Sequence, residues 1–167
     1  MRCLIPFLFL SISFCAWGQS MKDLSNQDKV RFFYEKLNKD SMHLVEEFYD
    51  PQIDFIDPIH SLKGSDKMRE YYANLYKNAE DVKFEFTDFV QANEKVVAVW
   101  KMTLKTEKLN GGEPYTVEGN SVIHFGPSGK AVYHRDYFDL GAFVYEKIPV
   151  VGYVVKKIKN RMKEESK

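Results

Sequence analysis

The hydrophobic period of the chain changes once, at Asp81, and that change limits what the chain can build. Before it, apolar residues recur at helical spacing. Val30, Phe33, Tyr34 and Leu37 follow a cap at Asn26, and Leu44, Val45 and Phe48 share one side of a segment from Ser41 to Tyr49. Met68, Tyr71, Tyr72 and Leu75 follow Gly64-Ser65. After Asp81 the period is two. Val82, Phe84 and Phe86 alternate with Lys83, Glu85 and Thr87, and Val96, Ala98, Trp100, Met102 and Leu104 alternate with polar or outward residues. Asn110-Gly111-Gly112 and Gly126-Pro127-Ser128-Gly129 are turn signals that frame strands over Tyr115 to Phe125 and Lys130 to Phe138. A short strand, Ile53 to Ile56, breaks at Asp57-Pro58. Helices grouped ahead of a run of antiparallel strands predict an α+β fold, with the helices covering one face of one curved sheet.

The two ends read differently from the middle. Arg2 precedes a run of 14 uncharged residues, Leu4 to Trp17. A bilayer span needs roughly 20 apolar residues, so this run suits a signal peptide, with Ala16 and Gly18 forming a small-residue cleavage site before Gln19. Export to the periplasm or the exterior is the expectation for residues 1–18; the alternative is an uncleaved anchor. Cleavage removes Cys3 and Cys15, both cysteines of the chain, so the domain over residues 19–145 must be held by its core without a disulfide or thiolate. Residues 146–167 predict a basic amphipathic helix carrying Val151, Val154, Val155, Ile158 and Met162 on one face. Such a helix either makes weak contact with an anionic membrane surface or docks on the domain with its charged face in water.

Composition removes two classes of function. With 24 Lys and Arg against 24 Asp and Glu, the chain lacks the basic excess that nucleic-acid binding by phosphate contacts requires. At 44% hydrophobic residues it is not intrinsically disordered. His43, His60, His124 and His134 are too scattered for metal-ligand spacing. No glycine-rich phosphate loop or G-x-S-x-G elbow is present, so neither a metal nor a cofactor is expected.

Two stretches carry a resemblance. Phe55-Ile56-Asp57-Pro58, then Gly64 and the helix Met68-Arg69-Glu70-Tyr71-Tyr72-Ala73-Asn74, resemble ketosteroid isomerase. His134-Arg135-Asp136-Tyr137-Phe138-Asp139 resembles the matching stretch of limonene-epoxide hydrolase. Both families belong to the nuclear transport factor 2-like, or SnoaL-like, superfamily, and the resemblance spans roughly Gln27 to Phe143. It implies a cone: a strongly bent sheet wrapped around N-terminal helices, with a pocket open at one end. It also implies a homodimer through the exposed face of the sheet. Activity is less constrained, since one superfold hosts many chemistries.

Carried over residue by residue, the resemblance is incomplete. Asp57 matches the proton-abstracting base of the isomerase. The positions expected for its two oxyanion donors hold Phe33 and Ser121, with Tyr34 turned about 100° from the first around the helix. Donors of that kind are worth about 2.7–4 kcal/mol each. Asp136 matches one acid of the hydrolase, but Trp100 and Met102 stand where its Arg and second Asp belong.

The strand periodicity places Phe84, Phe86, Trp100 and Met102 on the inner face, with His134 and Asp136 at i, i+2 on the last strand. A greasy pocket holding Asp57, Asp136 and His134 is the resulting expectation, suited to general acid–base work on a small, mostly apolar ligand. Trp100, Met102, Phe84, Phe86, Ser121 and Tyr34 are the candidate ligand contacts. Each acid also has a structural reading: Asp57 caps the Asp-Pro turn, and His134 satisfies Asp136. The competing function is a non-catalytic binding or dimeric scaffold protein. Asp139 is expected to cap a helix starting at Leu140.

Overall fold

The computed structural model describes residues 20–164. The predicted signal segment, with its cleavage site and both cysteines, lies outside the described residues. Helix α1 (Asn26–Lys36) starts on the residue expected to cap it, so the cap lies one residue earlier, at Ser25. Ser25 caps it: its hydroxyl accepts from the Asp28 amide at 3.1 Å and donates to the Asp28 carboxylate at 2.6 Å. This reciprocal pair satisfies an otherwise orphaned backbone donor. Helix α2 (His43–Phe48) runs directly into strand β1 (Tyr49–Ile56), which begins four residues before the expected strand. A turn over residues 57–60 leads to β2 (Ser61–Lys63). Gly64, at φ 89°, then opens α3 (Ser65–Asn78). Four long strands follow: β3 (Asp81–Ala92), β4 (Lys95–Lys105), β5 (Tyr115–Phe125) and β6 (Ala131–Phe138).

The strands form one six-stranded sheet in the order β2-β1-β6-β5-β4-β3. Neighbours are antiparallel except β1 and β6, which run parallel. That parallel pair was not visible in the sequence, because the strand after α2 carries no turn signal linking it to a neighbour. Register shifts between Phe86 and Asp88 and between His124 and Phe125 mark bulges, which bend strands and increase local twist. The sheet curls around α1 and α3, as the resemblance implied.

The inner face follows the period-two pattern: Val96, Ala98, Trp100, Met102 and Leu104 of β4 are all buried. At the closed end of the cone, Phe33 stacks on Phe48 with ring centroids 4.4 Å apart, and Tyr49, Phe55 and Phe125 complete an aromatic core.

Beyond β6, Asp139 accepts from the Ala142 amide at 3.1 Å and caps α4 (Leu140–Phe143), as its position predicted. Helix α5 (Pro149–Glu164) ends the described chain. The reading in which α5 buries its apolar stripe on the domain is corrected by the structure: Gly152 is the one buried residue of the helix, Val155 of the stripe is half-buried, and Val151, Val154, Ile158 and Met162 are exposed. Among the described residues, no helix is long and apolar enough to cross a membrane.

Candidate functional site

Strand register sets the wall of a cavity. Phe84 pairs with Met102, and Trp100 pairs with Gly119, which in turn pairs with Phe138. One step along, Ala98, Ser121 and Asp136 form the next cross-strand row. Gly119 is what lets these rows interlock. A Cβ there would lie 2.4 Å from Cη2 of Trp100, so the indole can lie across β5 only because no side chain is present. In that pose the indole N–H donates to Ser121 Oγ at 2.9 Å.

Ser121 passes the polarity on. Its hydroxyl donates to Oδ1 of Asp136 at 2.5 Å, and His134 Nε2 lies 2.9 Å from the same oxygen. His134 is completely buried, with Tyr49 Oη 2.8 Å from its Nδ1 and Tyr72 Oη 2.9 Å from Tyr49 Oη. With Nε2–H given to the carboxylate, a neutral imidazole accepts at Nδ1 from Tyr49, which accepts from Tyr72. A relay of buried polar groups therefore holds one oxygen of Asp136. Its other oxygen, Oδ2, takes no donor among the described residues, and Asp136 opens onto the cavity.

The cavity has a volume of about 500 Å³. Phe84, Trp100, Met102, Leu104 and Phe138 of the sheet line it, and α1 and α3 contribute Tyr34, Tyr71, Tyr72 and Leu75. Lys67, Glu70, Asn74 and Lys108 also belong to its lining. Volume and apolar lining match those of small-molecule sites.

Asp57 lines the same cavity, but its oxygens are already occupied. Oδ1 accepts from the backbone amides of Ile59 and His60, both at 2.6 Å. Oδ2 lies 3.0 Å from His60 Nδ1 and accepts from the Tyr71 hydroxyl at 3.3 Å. Asp57 thus caps the turn through the backbone, and it also faces the hollow.

Burial pushes the phenols of Tyr34, Tyr49, Tyr71 and Tyr72 well above the ordinary tyrosine value. Repulsion adds to the desolvation: Asp136 is the next cause for Tyr71 and Tyr72, and Tyr72 for Tyr34 and Tyr49. All four remain neutral hydrogen-bond donors at any physiological pH.

The structure brings Asp57, Asp136, Trp100, Met102, Phe84 and Tyr34 to one cavity, and it corrects three other expectations. His134 does not reach the hollow; it is walled off behind Asp136, which it positions. Ser121 is sealed beneath the Trp100 ring. Phe86 keeps the inner orientation but packs on Tyr34 and Phe89, with centroids 5.7 and 5.0 Å away, because α1 crosses the sheet there. The α1 residue at the cavity is Tyr34, and Phe33 lies in the core. Sequence reasoning missed His60, Tyr71 and Tyr72 as site residues. For the tyrosines a signal existed, since adjacent aromatics with polar tips on a buried helix face need partners for their hydroxyls. Among the described residues, no group of three or more His, Cys, Asp or Glu is arranged to hold a metal.

Comparison with known proteins agrees with this architecture. A profile of the SnoaL-like domain matches residues 30–134. No curated protein matches the chain by sequence. Among solved structures, a putative SnoaL-like polyketide cyclase from Jannaschia sp. CCS1 is similar at 18% identity and TM-score 0.61, covering 71% of this chain and 88% of that one. TerC, co-crystallized with polyporic acid, is 16% identical with TM-score 0.61, over 71% of this chain and 94% of its own. A hypothetical protein of ketosteroid isomerase-like fold from Catenulispora acidiphila DSM 44928, in complex with trimethylamine, is 14% identical with TM-score 0.62, over 74% and 91%. At these identities the likeness is one of fold. The profile covers more than half of the sequence, and the cone that the resemblance implied recurs in these structures: the chain belongs to the SnoaL-like domain family, within the nuclear transport factor 2-like fold.

Proposed function

We propose that this protein takes a small, mostly apolar molecule into its cone and that Asp136 is the group that acts on it as a general base or acid. The observation that carries the reading is the asymmetry of that carboxylate: Ser121 and His134 fix Oδ1, and Oδ2 is left to a hollow of about 500 Å³. Positioned carboxylates of this kind contribute roughly 10²–10⁴-fold to proton transfer. The neutral phenol of Tyr34 would supply a donor to an oxygen that gains charge during the reaction, the protons of Tyr71 and Tyr72 being given to Asp57 and Tyr49. Asp57 is the second acid of the proposal, with its carboxylate held by the turn and by His60. The small molecules co-crystallized with TerC and with the Catenulispora protein lend support to a ligand in a cone of this type. The N-terminal segment supports action after export.

Native mass spectrometry of protein purified from its own host tests the binding part. Wild type should carry a small-molecule adduct, and Met102→Trp, which fills the hollow, should lose it. Asp136→Asn should retain the adduct and the fold while abolishing turnover of that molecule. Absence of any adduct in wild type removes the reading, and full turnover by Asp136→Asn removes the acid–base role.

A second reading, a non-catalytic dimeric scaffold, draws on the outer face of the sheet. Val90, Val99 and Tyr137 are exposed there, with Val90 and Val97 paired across β3 and β4. Light scattering would then give twice the monomer mass, and Val99→Glu would halve it.

A further inference from the structure

The Asp136 carboxylate is nearly out of water, with its side chain 13% exposed, and the protein supplies no cation to it. Ser121 and a neutral His134 are the donors on Oδ1, and among the described residues no lysine or arginine pairs with either oxygen. A carboxylate placed in a low-dielectric hollow without a counter-ion is costly. The other charges on the cavity lining are already matched or lie in water. Lys67 pairs with Glu70 at 2.8 Å on the exposed rim, and Lys108, also exposed, gives its ammonium to Asn78 Oδ1. Asp57 is held by the turn amides and by His60. The positive charge that would match Asp136 is left to the ligand.

The walls suit such a charge. Phe84 stands at 79° to Trp100 with ring centroids 5.5 Å apart, and Phe143 at 78° to Phe138 with centroids 5.2 Å apart. Adjacent walls thus meet near right angles, as the sides of a box do, and Tyr34 and Tyr71 close the box from the helices. Aromatic rings around a hollow attract a cation, and more strongly where water is excluded. A neutral hydroxyl would satisfy the hydrogen bond of Oδ2 and leave its charge unmatched. An anion would be repelled by both Asp57 and Asp136.

We propose that the ligand of the cone is a protonated amine on a mostly apolar skeleton, its N–H donating to Asp136 Oδ2. This rests on the cavity reading and names the class of molecule that the cavity takes. Three probes of similar shape, phenethylamine, 2-phenylethanol and phenylacetate, test it by calorimetric titration of the protein at neutral pH. They carry a cation, a neutral hydroxyl and an anion beside the same phenyl group. The amine should bind about tenfold more tightly than the alcohol, and phenylacetate should show no binding. In Asp136→Asn the amine should stay bound at the alcohol's affinity, with the alcohol itself unchanged within about twofold. Circular dichroism shows whether that variant is folded; where it is not, the order of the three probes on wild type decides alone. Failure of phenethylamine to bind, equal binding of amine and alcohol, or tighter binding of phenylacetate overturns the amine class and leaves the cavity reading standing. An undiminished preference for the amine in folded Asp136→Asn does the same, as does a host adduct identified as a neutral or anionic molecule. Absence of any host adduct removes the cavity reading and the amine class with it.

Discussion

Replacing Gly119 with alanine puts a methyl carbon 2.4 Å from Cη2 of Trp100 and 2.7 Å from the Tyr137 carbonyl oxygen. The carbonyl belongs to β6, paired with β5 on the other side of Gly119, and cannot recede without disturbing that ladder. The indole can swing away, but it then gives up its bond to Ser121, which is fully buried. Overpacking of this kind costs about 1–3 kcal/mol, and a lost buried hydrogen bond adds about 1 kcal/mol. A total of roughly 2–4 kcal/mol lowers the melting midpoint of a domain this size by about 5–15 °C. In the chain from Gln19 onward, Trp100 is the only tryptophan, so its fluorescence reports this one ring. Gly119→Ala should melt early and emit at longer wavelength. A midpoint within about 1 °C of wild type, with unchanged emission, would mean that Trp100 does not lie across β5. The cavity wall described above would then be wrong.

Other consequences are measurable. Tyr49→Phe removes the hydroxyl that links His134 to Tyr72 and leaves the imidazole Nδ1 unpaired, so denaturant unfolding should give a loss of about 1–3 kcal/mol. Stability should also fall at alkaline pH. Tyr34, Tyr49, Tyr71 and Tyr72 have folded-state pKa values above their unfolded value, so the folded state holds protons that the unfolded chain releases above pH ~10. Their contribution is complete below that pH and declines toward the folded values, by up to about 1.4 kcal/mol per pH unit for each tyrosine. Absorbance at alkaline pH should show the four phenols ionising only as the protein unfolds; ionisation in the folded state, at the ordinary tyrosine value, would contradict their burial.

The fold was largely legible because each strand from β3 to β6 buries one face and exposes the other, so period and register are written in the side chains. The helices were legible for the same reason, to within a residue or two at their caps. The parallel pairing of β1 with β6 was not, since it depends on which edge the last strand returns to. Asp136 and Trp100 were legible as inward residues from alternation alone. What alternation cannot give is depth: His134, Ser121, Phe86 and Asp136 all point inward, yet only Asp136 reaches open space. Trp100 covers Ser121, α1 covers Phe86, and Tyr49 backs His134, and each cover comes from an element distant in sequence. The link between Asp57 and His60 was missed because a turn brings them together, and turns leave little periodic trace. On α5 the stripe was legible and its direction was not, because docking there is set by Gly152 and Lys159.

The central claim is that Asp136 offers one free oxygen to a molecule held in the cone. A crystal structure of protein purified from its own host tests this most directly. The account predicts density for a small molecule between Trp100, Met102 and Tyr71, with an atom within about 2.6–3.2 Å of Asp136 Oδ2. A cone filled by its own side chains, or a molecule bound with Asp136 turned away from it, would contradict the account.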